Sequence, residues 1–524
     1  MKKQTKVMAT LSTAALLALG FSAVSMAAGW DNSTGAWRYL NNDGTEVVDE
    51  WKSANGNWFY LDSDGVMATD KLIEDESGSK TKYYYVDQYG AMVKNTWKAV
   101  AMDDDDNTDL DAEYWWYYFG NDGKAYTIDD DKAITKSKVK TINGLKYAFD
   151  AEGHMLYGWT LAEAGNHSQN DDNKQLWQDA KYYFNGWNDG HAQTGWAQIN
   201  VEKEDGDTED YWFYFNGDGE KQANKRKKIN GVYYVFGEHG NMIDEWTIEE
   251  TKGTWSDSFA TTSKAASISY VNGDGAQRKN TWIWAIPAED WIPSDYDDDE
   301  YSWFYAGRDG KLTSKTVKKI NGKKYAFDDA GRMLTGFVAV NGDSVNVNVD
   351  DDNNNHYDHD EFTREEWINK NLQGFKYFSA DEEKDGAMKT GYQNIELADD
   401  TYQFYFQKNG EAKTQYDSKI KKYTIAGLVL KPTNDDDNNY AAVTVVGDNE
   451  PTAIATDYDD MTDHETYTGD KVLINKQGSV IKNKTVKDEN DQYFLTNGDG
   501  VIINSAKDKD VYDQLKKDNK WNKK

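Results

Sequence analysis

Thr141-Ile-Asn-Gly-Leu-Lys-Tyr-Ala-Phe149, Lys228-Ile-Asn-Gly-Val-Tyr-Tyr-Val-Phe236 and Lys319-Ile-Asn-Gly-Lys-Lys-Tyr-Ala-Phe327 are three copies of one phrase. Each runs on to a Gly, a Met and a terminal aromatic: Gly153, Met155 and Trp159; Gly240, Met242 and Trp246; Gly331, Met333 and Phe337. Asn-Gly between strand-like residues is a strong signal for a two-residue hairpin turn. Its recurrence specifies an array of small hairpins that bury their aromatics against one another, in place of one globular core. The fold class expected is all-β, a repetitive β-hairpin solenoid with variable acidic loops and one or two short helices.

The same grammar extends in both directions. Trp30, Trp37, Tyr39 and Gly44 recur 21 residues later as Trp51, Trp58, Tyr60 and Gly65. Beyond Lys82 the hairpins group into larger modules, with Trp115, Trp212 and Trp303 spaced by 91 to 97 residues. The organisation read from the chain is a signal peptide over 1–27, two tandem repeats over 28–81, and about four diverged modules over 82–425. An atypical segment follows over 426–470, then terminal hairpin repeats over 471–504 and a polar tail over 505–524 with room for a short helix. Thr363 and Glu366 form a capping-box signature, with Phe362 and Trp367 spaced for a hydrophobic staple.

The leader reading rests on Lys2, Lys3 and Lys6, an apolar run from Ala14 to Val24, and Ser25-Met26-Ala27. The segment Asp518 to Lys524 carries neither a wall-sorting motif nor a hydrophobic tail, so non-covalent surface attachment is expected. A net charge of −33 disfavours nucleic acid and anionic membranes as partners. With no cysteine, no disulfide can staple the repeats, and the work falls to 20 Trp, 35 Tyr and 18 Phe. That aromatic content also argues against intrinsic disorder.

Trp30-x₆-Trp37-x-Tyr-Leu-x₃-Gly44 and Trp51-x₆-Trp58-Phe-Tyr-Leu-x₃-Gly65-Val-Met-Ala-Thr69 resemble the choline-binding, or cell-wall-binding, repeats of Gram-positive surface proteins. The Ile-Asn-Gly hairpins look more like the related repeats of glucan-binding domains and of clostridial toxin receptor-binding regions. The resemblance implies ligands held between consecutive hairpins, with two aromatics of one hairpin and one of the next caging a quaternary ammonium. Carried over, a first cage uses Trp30 and Trp37 with Trp51 or Tyr60, and a second uses Trp51 and Trp58 with Tyr84. Ring faces attract a methylated ammonium that cannot donate hydrogen bonds, at about 0.5–2 kcal/mol per face. The same platforms would equally stack on sugar rings. The usual Gly-Trp step is Glu-Trp at Trp51 and Trp246 and Thr-Trp at Trp97 and Trp282, a departure that predicts loss of cage geometry in many copies.

Asp-x-Asp-x-Asp/Asn recurs at Asp103, Asp295, Asp350 and Asp435, a spacing that suits a hard cation. The third copy, Asp350, Asp352 and Asn354, continues to Asp358 and Glu361 at positions nine and twelve of an EF-hand-like loop. Calcium is therefore admitted there, although no cofactor is required. Catalysis has no support: His356 and His359 lack the zinc-protease Glu, and there is no Gly-x-Ser-x-Gly elbow. The sequence reads as a secreted, surface-associated, non-catalytic repeat protein. Its expected partner is choline of teichoic acid or a wall polysaccharide such as glucan, without membrane insertion after leader removal. The alternative is a structural or adhesive scaffold whose acidic loops bind calcium.

Overall fold

The computed structural model describes residues 28–102, 112–165, 175–345, 356–357, 363–379, 385–432, 439–447, 449–455 and 470–522. The leader and the loop carrying Asp350, Asp352, Asn354, Asp358 and Glu361 lie outside the described residues, as does Phe362.

Strands pair antiparallel with their chain neighbours, many as two-stranded ribbons: Glu50–Ala54 with Asn57–Leu61, Lys71–Asp75 with Lys82–Val86, and Thr96–Ala101 with Tyr114–Phe119. The Asn-Gly pairs make the tips. Asn143 and Gly144 have φ of 50° and 87°, and Asn321 and Gly322 have 47° and 90°. Positive φ at both central residues defines a type I′ turn, whose twist matches that of the strands it joins.

After its second strand each ribbon turns again and sends back a short return segment. Asp62 Oδ1 accepts the N–H groups of Asp64 at 3.0 Å and Val66 at 2.8 Å, closing that turn. Asp87, Asn216, Asn475 and Asn497 do the same in their own repeats. The return residue then bonds to the ribbon before it. Met67 N–H donates to the Trp37 carbonyl and Met92 N–H to that of Trp58, both at 2.8 Å, and Met155 N–H to that of Trp116 at 2.7 Å. The return side chain lies beneath the turn glycine of the following ribbon: a Cβ on Gly90 would sit 2.8 Å from Met67 Cε. Gly and Met of the sequence motif are thus partners, but each pairs with its counterpart in an adjacent repeat.

The chain packs as two units, Met1–Lys227 with Val235–Met242, and Lys228–Tyr234 with Ile243–Lys524. The first is a succession of ribbons linked in this way. The second repeats the linkage, for example Leu312 N–H to the Ile268 carbonyl at 3.0 Å and Met388 N–H to that of Lys324 at 2.8 Å. It also contains a seven-stranded and a five-stranded sheet, around a core that includes Phe337, Trp367 and Phe404.

The described residues include four α-helices. Two are the helices expected from the sequence: Arg364–Lys370 carries the capping box, with Thr363 and Glu366 bonded reciprocally, and Lys509–Lys517 is capped by Asp508. The others, Leu176–Asp179 and Pro293–Asp297, are single turns without a side-chain cap, and the start signal of the second is Pro293 in its first turn.

Candidate functional site: the aromatic seams

Cross-strand register sets which rings meet. Trp51 lies opposite Tyr60, and Trp97 opposite Tyr118. The third ring comes from the next ribbon, one residue before its own cross-strand position. Trp51 therefore meets Tyr60 and Tyr84, with ring centroids 5.1 Å away in both cases. The pattern repeats: Trp30 meets Tyr39 at 5.4 Å and Phe59 at 5.3 Å, and Trp97 meets Tyr118 at 5.1 Å and Tyr147 at 4.9 Å. Trp159 meets Tyr183 at 4.7 Å and Phe213 at 5.2 Å, Trp246 meets Tyr270 at 4.8 Å and Phe304 at 5.1 Å, and Trp282 meets Tyr305 at 5.2 Å and Tyr325 at 4.8 Å. Tilted and edge-on pairs of this kind are favoured by the ring quadrupole.

Of the residues expected to form cages, the structure brings Trp51, Tyr60 and Tyr84 together in one seam, and sets Trp30 in the seam before it. Trp37 and Trp58 have no ring partner among the described residues, and Trp58 is 42% exposed. The reason is position along the ribbon. Trp58 lies opposite Ser53, two residues nearer the Asn55-Gly56 turn than the Trp51–Tyr60 pair. Its backbone does the joining, through the bond from Met92. Sequence reasoning did not place Trp97, Tyr118 and Tyr147 in a cage, nor recognise the position one residue before the cross-strand tyrosine. The parity of the strands carries that signal, because Phe59 and Tyr60 point to opposite faces.

Loss of the Gly-Trp step does not separate the rings. At Gly158-Trp159 and Gly195-Trp196 the glycine itself is left-handed, with φ of 71° and 77°. At Trp51, Trp97 and Trp282 the left-handed residue is one place earlier, Asp49, Asn95 and Asn280, with φ of 48° to 49°. Asn and Asp tolerate that region better than other non-glycine residues.

The seams differ in what else enters them. Lys52 lies over Tyr39 at 5.3 Å, Lys227 over Tyr214 at 5.1 Å and Lys318 over Tyr305 at 5.4 Å. Lys221 lies over Trp159 at 5.4 Å and Phe213 at 5.9 Å. An inserted tryptophan also packs on several triads: Trp177 against Phe213 in the Lys221 seam, Trp291 against Trp246 and Phe304, and Trp367 against Phe337 and Phe404. Among the described residues, the triads Trp51–Tyr60–Tyr84 and Trp97–Tyr118–Tyr147 have neither a lysine over their rings nor such a plug.

The Trp51 seam is flanked by carboxylates. Burial, together with the charges of Asp49, Asp75 and Asp62, raises the Tyr60 pKa above the ordinary phenol value. Ala68 and Ile73 are buried beside the rings, and the Trp51 indole N–H is buried without an acceptor. The second acidic motif is not laid out for a cation. Asp295 is buried and paired with Arg332 at 2.9 Å, which also pairs with Asp328 at 2.7 Å.

Residues 48–97 match the choline-binding repeat family. Over 229 residues, 43% of its length, the chain is 26% identical to glucosyltransferase-S of Streptococcus mutans, and spans 12% of that protein. Solved structures also align with it. The modular autolysin LytC of Streptococcus pneumoniae, in complex with a synthetic peptidoglycan ligand, has 18% identity and a TM-score of 0.31 over 60% of this chain and 54% of that one. CbpJ of Streptococcus pneumoniae has 17% identity and a TM-score of 0.35 over 61% of this chain and 98% of that one. No helix among the described residues is long and apolar enough to cross a membrane.

Proposed function

Proceeding from a chain built of choline-binding-type repeats, we propose that it is a secreted, non-catalytic protein that attaches to the bacterial wall by holding quaternary ammonium groups in its unplugged seams. The observation that carries this reading is the Trp51–Tyr60–Tyr84 triad, which lies inside the matched residues, joins two ribbons and is set among Asp49, Asp62 and Asp75. Ring faces and carboxylates both favour a cation, and the three methyl groups of choline need no hydrogen-bond acceptor. A single such site is weak; Trp97–Tyr118–Tyr147 supplies a second, and a polymer bearing many cholines engages both by avidity.

Titration of intrinsic fluorescence with choline tests this. A saturable change is expected, weakened about 2- to 30-fold in Trp51→Ala for the loss of one ring face. An unchanged affinity in both Trp51→Ala and Trp97→Ala would refute it.

A second reading, glycan stacking, is favoured by a different surface. Trp284 and Tyr301 are 45% and 52% exposed and stack at 5.7 Å, with Trp303 5.1 Å from Trp284. Exposed rings suit the apolar faces of sugars, with Trp284 and Tyr301 nearly parallel at 22° and Trp303 tilted by 41°, and the similarity to a glucosyltransferase fits a glucan. Soluble dextran would then quench fluorescence in the wild type and not in Trp284→Ala, with choline without effect on that signal.

A further inference from the structure

Lys221 occupies the return position that is methionine at Met67, Met92, Met155, Met242 and Met388. Like those residues, it packs its stem beneath the next turn glycine: a Cβ on Gly240 would lie 2.9 Å from Lys221 Cδ. Its backbone is equally ordinary, with N–H donating to the Lys181 carbonyl at 2.8 Å. The amine is what differs. It reaches into the seam, donates to the carbonyls of Trp177 at 2.5 Å and Gln178 at 3.0 Å, and lies over the rings of Trp159 and Phe213. Two carbonyl acceptors and two ring faces around one nitrogen make an ammonium-binding site, and the chain fills it with its own side chain.

We propose that Lys221 is a tethered occupant of the Trp159–Tyr183–Phe213 seam, which fills the space that Trp177, packed on Phe213, leaves open beside Trp159 and, once removed, leaves a site for a small primary alkylammonium. Lys52, Lys227 and Lys318 repeat the device from another position, the residue after the first-strand seam position, each over the cross-strand tyrosine of the preceding ribbon. Lys227 and Lys318 are further held, by Gln222 Oε1 at 3.1 Å and Thr313 Oγ1 at 3.0 Å. The consequence for the number of choline sites rests on the function proposed above; the ammonium site itself does not.

The experiment compares the full-length wild type with Lys221→Ala at pH 6, where amines are protonated, using ethylammonium as the probe. Calorimetry is expected to show one additional site per chain in the variant, with a rise in melting temperature on adding ethylammonium that the wild type lacks. Equal stoichiometry and equal thermal response in the two proteins would overturn the proposal. Should Lys221→Ala fail to fold, reductive methylation of the folded wild type decides. Lys221 should be labelled at least about tenfold more slowly in the folded chain than in the urea-unfolded one, whereas the exposed Lys225 changes little, and an equal folded-to-unfolded ratio at the two lysines refutes its enclosure. Choline binding read through Trp51→Ala is separate, so loss of either result leaves the other standing.

Discussion

Gly90→Ala is the sharpest probe of how the ribbons hold together. Gly90 has φ of 77°, and a Cβ there would meet Met67 Cε at 2.8 Å, Met67 Sδ at 2.9 Å and the Ala68 carbonyl at 3.1 Å. An alanine in the left-handed region costs about 1–2 kcal/mol, and forcing a methyl into an occupied contact adds roughly 1–3 kcal/mol. The sum is about 2–4 kcal/mol after partial relaxation of the flexible methionine. Gly44 supplies the control: its φ is 84°, and a methyl placed there would meet nothing within 4 Å, so Gly44→Ala carries the backbone cost alone. Native-state hydrogen exchange of the Met67 and Ala68 amides, which bond to the Trp37 and Tyr60 carbonyls, is the assay. Exchange should quicken by between about 30- and about 700-fold in Gly90→Ala, at about 1.4 kcal/mol per tenfold. Adding Met67→Ala should remove the contact part and leave the backbone part. If Gly90→Ala exchanged no faster than Gly44→Ala, methionine-under-glycine packing would not be what joins adjacent ribbons.

Two further outcomes follow from charged groups. Arg332→Ala should cost about 3–5 kcal/mol, because it strands the buried carboxylates of Asp295 and Asp328; a urea midpoint shifted by less than a typical surface substitution would contradict that pairing. Burial pushes the Lys221 amine down to about 7, with Asp179 opposing, against about 10.4 in an unfolded chain. Below about 7 both states hold the proton; between about 7 and 10.4 the unfolded chain binds more, so wild-type stability relative to Lys221→Met should rise with pH by up to ~1.4 kcal/mol per unit. A flat difference between roughly pH 6 and pH 10 would show that the carbonyls and rings hold the ammonium charged throughout.

The hairpin array was legible because its signals are local. Asn143-Gly144 and Asn321-Gly322 dictate their own turns, and Thr363 with Glu366 dictates its own cap. The seams were only partly legible, because a cage is assembled by residues of two ribbons whose register no single repeat encodes. Trp37 and Trp58 repeat faithfully, yet they sit too near the tips to find a ring partner. Phe59, less conspicuous in the motif, supplies the third wall of the Trp30 seam, while Tyr84, named from the sequence, supplies that of the Trp51 seam. The plugging residues were hidden for another reason: Trp291 and Trp367 belong to insertions that break the repeat, and Lys221 looks like any surface lysine until its register with Met67 is known.

That equivalence between lysine and methionine at one register position has an evolutionary side. The codons AAG and ATG differ at a single base, and the two side chains share an unbranched stem that fits the same slot under the glycine. On the function proposed above, the number of open seams in such an array is then set seam by seam, without redesign of the scaffold, by point changes that either seat an internal cation or withdraw it.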